Sequence, residues 1–193
     1  FSSMLMNNNI TAAISPPVIL RYSPEWTSIV KSNTTTAAGQ ALRFDGTLWM
    51  TGSGNLGQLG RNSTITTSSM VQIGAIGEWN VNIPIGASSG TFYGVKSATG
   101  RLWSWGEGAS GKIGDGVSVD RSSPVQVKAT VTDWAQIAPA STHVLALRST
   151  GDVWGWGLNT NGQLGNNTVI STSTPVQIGA LGTSFASIAS GAS

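Results

Sequence analysis

An all-β fold, a β-propeller of four-stranded antiparallel blades with about three and a half blades present, is what this sequence predicts. Three observations carry it. The segments DGTLWMTGSGNLGQLG from Asp45, TGRLWSWGEGASGKIG from Thr99 and TGDVWGWGLNTNGQLG from Thr150 align, so that Trp49, Trp103 and Trp154 stand 54 and 51 residues apart. Within each unit apolar residues alternate with small or polar ones, as in residues 143–149 (HVLALRS) and 101–106 (RLWSWG), which is the period of a strand with one buried face. No stretch has helical periodicity, and units of about four short strands at a fixed spacing are the parts of a propeller, because a blade buries its apolar face only against the next blade.

In chain order, residues 1–14 read as a linker or the end of a preceding element, and residues 15–193 as the partial propeller. A partial unit spans 15–44 and supplies SPPVIL, PEWTSIV with Trp26, and most of QALRFDG, which ends at Gly46. Units 45–98, 99–149 and 150–193 follow, the last partial because it stops at GAS where the earlier copies run on into a strand. The second half of each carries SMVQIG, SPVQVK or TPVQIG, and then Trp79, Trp134 or Phe185 opens another alternating stretch. Asp45-Gly46, Thr99-Gly100 and Thr150-Gly151 stand between two alternating runs, which predicts tight two-residue hairpins of primed type. The eight tryptophans all fall at or beside repeat positions. Large flat rings at such positions are expected to pack between blades, Trp49, Trp79, Trp103, Trp134 and Trp154 among them, with Trp103 and Trp154 as the plugs of the gaps.

Composition bounds the partners. Only 9% of the residues are charged, against about 25% in average soluble proteins, so Ser, Thr, Asn and Gly must supply the polar surface. The sequence pI of 9.3 arises from ten Lys and Arg against eight Asp and Glu, scattered without a basic run. No basic run is present to track a phosphate backbone, and nucleic acid is not expected as a partner. Cysteine is absent, which removes disulfides, thiolate nucleophiles and cysteine zinc sites together. No apolar run approaches the about 20 residues of a membrane-spanning helix.

Two stretches imitate nucleotide motifs. Residues 52–57 read GSGNLG, a match to G-x-G-x-x-G, and residues 106–113 read GEGASGKI, one residue short of a phosphate loop. Their own copies argue against both. GSGNLG aligns with GEGASG and GLNTNG, so the middle glycine becomes Asn159, and a left-handed backbone at that position is the expectation. Lys112 aligns with Gln58 and Gln163, and the Mg²⁺-ligating hydroxyl position holds Ile113, matching Leu59 and Leu164. Gly57, Gly111 and Gly162 then read as backbone devices that let a long loop fold over the blade, and no cofactor is expected.

Catalytic chemistry has little to work with. His143 is the single histidine, with Ala38 and Thr91 at its repeat positions, and reads as structural. Asp45, Asp152, Glu78 and Asp133 sit at turns or before a repeat tryptophan and look architectural. Asp115 and Asp120 share one loop, but that loop lacks the ordered carboxylates of a calcium site and its copies have none, so no metal is expected. What varies is loop chemistry. Residues 61–67, 115–121 and 166–172 occupy equivalent places but differ in charge, which makes Arg61, Asn62, Asp115, Asp120, Arg121, Asn166 and Asn167 the candidate recognition residues. Their neutral, hydroxyl-rich character suits a protein or sugar surface better than a phosphate.

The unit [DT]-G-x-[LV]-W-x-W-G-x-N-x-x-G-Q-L-G, followed by S-x-P-V-Q-[IV] and W-x-x-I-x-x-G-x-x-H-x-x-A-L, resembles the repeat of the regulator of chromosome condensation family. The fit is closest at residues 150–165 and 174–179 and extends over about 16–193. The resemblance implies a seven-bladed ring of about 360 residues, so this chain is expected to be an arc, completed by more of its own propeller or by neighbouring subunits. It also implies a non-enzymatic structural or interaction module. Low charge and lack of cysteine are similar to bacterial and viral members, including virion tail or fibre proteins, which leads to an expected location outside the cell or on a virion surface, and to adhesion to another protein, a host receptor or a surface glycan. The family's exchange activity on a small GTPase with chromatin binding is an alternative, opposed by the missing basic tail. A glycan-binding or glycan-processing propeller is another. Glycoside hydrolysis would need two carboxylates about 5–10 Å apart, for which only Asp115 and Asp120 are near enough in sequence.

Overall fold

A computed structural model of the chain describes residues 25–32, 37–127, 130–179 and 184–191. The expected linker at 1–14 and the SPPVIL segment lie outside the described residues. Among the described residues twelve strands form three four-stranded antiparallel sheets. The first holds β1 (Trp26–Lys31), β2 (Ala38–Arg43), β3 (Leu48–Gly52) and β4 (Thr67–Ile73), in that order. The second holds β5 (Gly86–Ala87), β6 (Thr91–Val95), β7 (Leu102–Gly106) and β8 (Arg121–Gln126), and the third β9 (Trp134–Pro139), β10 (His143–Arg148), β11 (Val153–Gly157) and β12 (Thr172–Ile178). One 3-10 turn at Ala109–Gly111 is the sole helical element among the described residues. The first strands β1, β5 and β9 neighbour one another, as the inner strands of consecutive propeller blades do.

The sheets run over 26–73, 86–126 and 134–178; the first and third open at Trp26 and Trp134, and in the second Trp79 bridges Lys96 ahead of β5. The Gly-containing turn is where the copies look most alike, but it lies in mid-blade, between the second and third strands.

The turns themselves differ from the expectation. In the first blade the Arg43 N–H donates to Thr47 O at 2.9 Å and the Gly46 N–H to Arg43 O at 3.0 Å, which encloses three residues. The third blade repeats this with Arg148 N–H to Asp152 O at 2.9 Å and Gly151 N–H to Arg148 O at 3.0 Å, and the second encloses four residues between Lys96 and Arg101. Only the glycine takes a positive φ in each, 74° at Gly46, 64° at Gly100 and 90° at Gly151. A primed two-residue turn would require a positive φ at the preceding residue also, and Asp45, Thr99 and Thr150 do not supply one. Asp45 instead closes a local ring with its Oδ1, which accepts from the Thr47 N–H at 2.9 Å and from Thr47 Oγ1 at 2.6 Å.

The core lies between blades. Leu42, Leu48, Met50 and Ile73 of the first blade pack against Trp79, Phe92 and Trp105 of the second. Tyr93, Val95 and Leu102 of the second pack against Trp134, Val144 and Trp156 of the third. Strand alternation places Phe92 and Tyr93 in different cores, so one strand serves both faces of its blade. Trp105 and Trp156 are 0% exposed, whereas Trp49, Trp103 and Trp154 are half-buried. The plugs are therefore the second tryptophans of the LWSWG and VWGWG strands. Trp105 donates its indole N–H to Gln58 O of the preceding blade at 3.0 Å, and Trp156 donates to Lys112 O at 2.8 Å. Trp103 has a Lys96 ammonium 4.3 Å from its ring centroid.

Candidate interaction surface

Three long loops, 53–66, 107–120 and 158–171, connect the third and fourth strands of the blades. One backbone bond recurs in all of them. The N–H of Gly54 donates to Thr66 Oγ1 at 3.2 Å, that of Gly108 to Asp120 Oδ1 at 2.9 Å and that of Asn159 to Ser171 Oγ at 3.0 Å. Asp120, a candidate recognition residue, thus closes its loop with a carboxylate where its copies use a hydroxyl.

The left-handed backbone expected at positions 54, 108 and 159 is absent: none of the three has a positive φ, and Gly108 lies at −100°. Close approach is the reason for glycine there. An ideal Cβ on Gly54 would stand 2.5 Å from Ile65 O, and one on Gly108 would stand 1.9 Å from Val119 O. The third blade leaves room and fills it with Asn159, which is fully buried. Its Nδ2 lies 3.1 Å from Asn166 Oδ1, 3.0 Å from Thr168 O and 3.2 Å from Ile170 O, and its Oδ1 accepts from the Leu164 N–H at 2.9 Å. Asn166 is accordingly turned inward. A position eight residues further on does take the left-handed region in all three loops: Asn62 at 54°, Gly116 at 96° and Asn167 at 58°. From it the loop reaches the following blade, by Asn62 N–H to Ser122 O at 2.6 Å and Gly116 N–H to Ser173 O at 2.9 Å.

Gly57, Gly111 and Gly162 have φ of 79°, 75° and 76°. A Cβ at Gly57 would come 2.5 Å from Ser122 Cα and one at Gly111 2.7 Å from Ser173 Cα, while Gly162 has nothing within 4 Å because no further blade follows it among the described residues. The remaining loop charges are largely internal. Arg121 Nε bonds Asp115 Oδ2 at 2.7 Å, and the Asp115 side chain is 8% exposed. Arg61 is exposed and makes no ion pair among the described residues.

Composition had drawn attention to the polar residues of these loops and passed over their aliphatic ones. Ile65, Val119 and Ile170 occupy one column of RNSTITT, DGVSVDR and NNTVIST, and are 77%, 50% and 73% exposed. That shared column was the signal available in the sequence.

Elsewhere the titratable groups are engaged in holding the fold. Lys112, 3% exposed, donates from Nζ to Glu107 Oε2 at 2.7 Å and to the carbonyls of Ser89 at 2.6 Å and Ser141 at 3.3 Å. It ties the inner turns of the second and third blades together. Arg148 holds the Asp133 carboxyl below its ordinary range, Lys96 does the same for Glu78, and hydrogen bonds from Thr47 do so for Asp45. Burial lowers the His143 imidazole, whose Nδ1 has no partner among the described residues. Among the described residues no group of three or more His, Asp or Glu could hold a metal ion, and no helix is long and apolar enough to cross a membrane.

Residues 99–147 and 150–193 match the regulator of chromosome condensation (RCC1) repeat. The chain is 36% identical over 116 residues to the ultraviolet-B receptor UVR8 of Arabidopsis thaliana, which covers 59% of this chain and 26% of UVR8. It is 31% identical over 130 residues to the E3 ubiquitin-protein ligase HERC2 of Homo sapiens, covering 66% of this chain and 3% of HERC2. Among solved structures it resembles Prp20p of Saccharomyces cerevisiae, with a TM-score of 0.62 at 17% identity over 76% of this chain and 37% of that one. It also resembles human WBSCR16, with a TM-score of 0.60 at 22% identity over 75% and 38%. At those identities the structural likeness speaks for the β-propeller fold alone. The chain spans about a quarter of UVR8, a small part of HERC2 and under two fifths of the solved propellers.

Proposed function

Because this chain is built of repeats of the regulator of chromosome condensation family, matched over residues 99–147 and 150–193, we propose that it is a non-enzymatic protein-interaction module that meets its partner with the three loops at the rim of its blades. The observation that carries this reading is the combination of fixed loop backbones with changing loop side chains. Gly54, Gly108 and Asn159 anchor the same main-chain path, while the charge along it changes from an exposed Arg61 through the half-buried Asp115–Arg121 pair to an uncharged third copy. Recognition on repeat scaffolds is placed in such loops.

We also propose display outside the cell or on a virion surface, against another protein or a host receptor. The 9% charge, the lack of cysteine and the Ser, Thr and Asn-rich exterior support it. Antibody labelling of intact cells or particles, compared with lysed ones, is its test; signal only after lysis overturns it.

For the interaction itself, a photo-crosslinking residue placed at Asn62 or Asn167 in the native host should capture a protein partner, and the same residue at Gln72 on the outer strand should not. Capture only from Gln72 would overturn the rim as the contact surface. Prp20p is described as binding Gsp1p and histones. Were this chain to accelerate nucleotide release from a GTPase of that kind, the exchange-factor reading would replace ours.

A further inference from the structure

We propose that Ile65, Val119 and Ile170 form a row of aliphatic anchors along the loop rim, and that the row binds an uncharged, apolar segment of a partner polypeptide. The inference rests on the interaction-module reading and names the partner chemistry that the rim selects.

Single exposed aliphatic residues on a protein surface need no explanation. These three differ because the repeat places them at one register on successive blades, where they are 77%, 50% and 73% exposed. Their exposure does not come from a missing neighbour. Ile65 has the second blade after it and Val119 has the third, each joined to its loop through Asn62 N–H to Ser122 O and Gly116 N–H to Ser173 O, and both side chains still face solvent. Continuation of the blade array would leave Ile170 in the same state.

The backbone beneath each anchor is fixed. The carbonyls of Ile65 and Val119 press on Gly54 and Gly108, and that of Ile170 accepts from Asn159 Nδ2 at 3.2 Å. The next residue in each loop, Thr66, Asp120 or Ser171, is held by the N–H of that same position. An apolar side chain on a pre-ordered backbone loses little conformational freedom on binding, which is what a contact anchor requires.

The surroundings decide what binds. Asp115 and Arg121 neutralise each other, Asp120 is turned onto the Gly108 N–H, and residues 166–172 carry no charge. Exposed Arg61 and the Asp120 carboxylate are the remaining charges and are opposite in sign, so the rim carries no net charge that would favour an acidic or a basic chain. Residues 61–67, 115–121 and 166–172 contain no aromatic side chain on which a sugar ring or a base could stack. Apolar contact with polypeptide remains.

The test is a random dodecapeptide library displayed on phage and panned against the full chain. The expected winners are uncharged and rich in Leu, Ile, Val or Phe, and the triple variant I65S/V119S/I170S should weaken them by at least about tenfold. The control I29S/I76S removes two aliphatic residues exposed to 70% and 77% elsewhere and should leave binding unchanged. Winners enriched in Asp and Glu or in Lys and Arg would overturn the proposal, as would equal loss in the control. Winners indifferent to the triple variant but lost when residues 61–67 and 166–172 are replaced by Gly-Ser segments would sink the anchors and leave the interaction rim standing. Winners indifferent to both would sink the rim as well. Should the triple variant lose its near-ultraviolet circular dichroism, Ile170→Ser alone gives the reading.

Discussion

Trp154 and Trp156 share one face of β11, two residues apart, yet their surroundings differ. Trp156 lies fully inside the second core and bonds Lys112 O, whereas Trp154 is half-buried, edge-on to Trp134 with centroids 6.4 Å apart. Trp156→Ala should cost about 3–5 kcal/mol, as loss of a buried aromatic does, and Trp105→Ala the same. Trp154→Ala should cost distinctly less, and urea unfolding of the variants side by side makes the comparison. Equal costs would mean that both rings fill the gap. His143 gives a prediction of a different kind. Burial holds its folded pKa below the ordinary 6.5, so the unfolded chain takes up the proton first. Stability should then fall as pH drops from about 6.5 towards the folded value. His143→Thr, which installs the residue found at Thr91, should remove that slope from thermal melts between pH 7 and pH 5. Asp133, Glu78 and Asp45 have depressed pKa values, so what they contribute is present above their ordinary values of 3.8 and 4.5 and is lost only at lower pH.

At the scale of one element, the long loops solve a single problem in two ways. The first two blades press a carbonyl onto a glycine, and the third replaces that contact with the side chain of Asn159. Asn159→Ala leaves the buried Leu164 N–H and two loop carbonyls without their partner and should cost about 1–3 kcal/mol. Gly108→Asn should be worse than Asn159→Gly, since Val119 O stands where its Cβ would go. Chemical denaturation of the two settles the order. The loop around Lys112 carries a further expectation. Its ammonium is already held by Glu107, Ser89 O and Ser141 O, and the 3-10 turn before it is too short to present a phosphate site. Isothermal titration should find no micromolar binding of ATP, GTP or NAD. Affinity that vanished in Lys112→Ala would reverse this.

Across the whole molecule the two ends of the arc are unlike its interior junctions. The pairs that fill those junctions are Phe92–Trp105 and Val144–Trp156, and the corresponding pair on the outward face of the first blade is Gly39–Thr51. That leaves an apolar trough lined by Trp26, Ile29, Ala41 and Met70. The third blade, at the other end, offers open space at Gly162 and, near Gly165, only Ile178 at 4.0 Å, where Gly60 and Gly114 are crowded by Trp105 and Trp156. Exposed sheet faces of this kind associate. Sedimentation of the chain should therefore show concentration-dependent association, and Ile29→Lys with Met70→Lys should weaken it. A stable monomer at high concentration, unchanged by those lysines, would mean that the faces are covered already.

The sequence by itself determined the all-β blades, their spacing of a little over fifty residues and the inter-blade core. Each of these follows from periodicity and from comparing a segment with its own copies, and that information is local. Only the tertiary structure decided which tryptophan of each pair is the plug, because burial depends on the neighbouring blade and not on the strand that carries the ring. Contact likewise decided the role of Gly54, Gly108 and Asn159. A glycine needed for a left-handed backbone and one needed for close approach look identical in a sequence, and they separate only when the carbonyls of Ile65 and Val119 are seen pressing on the chain. The aliphatic row at the rim was present in the alignment, but its exposure was not. Whether an isoleucine faces the core or the solvent is fixed by which way a folded loop turns its backbone, and that is set by the hydrogen bonds beneath it.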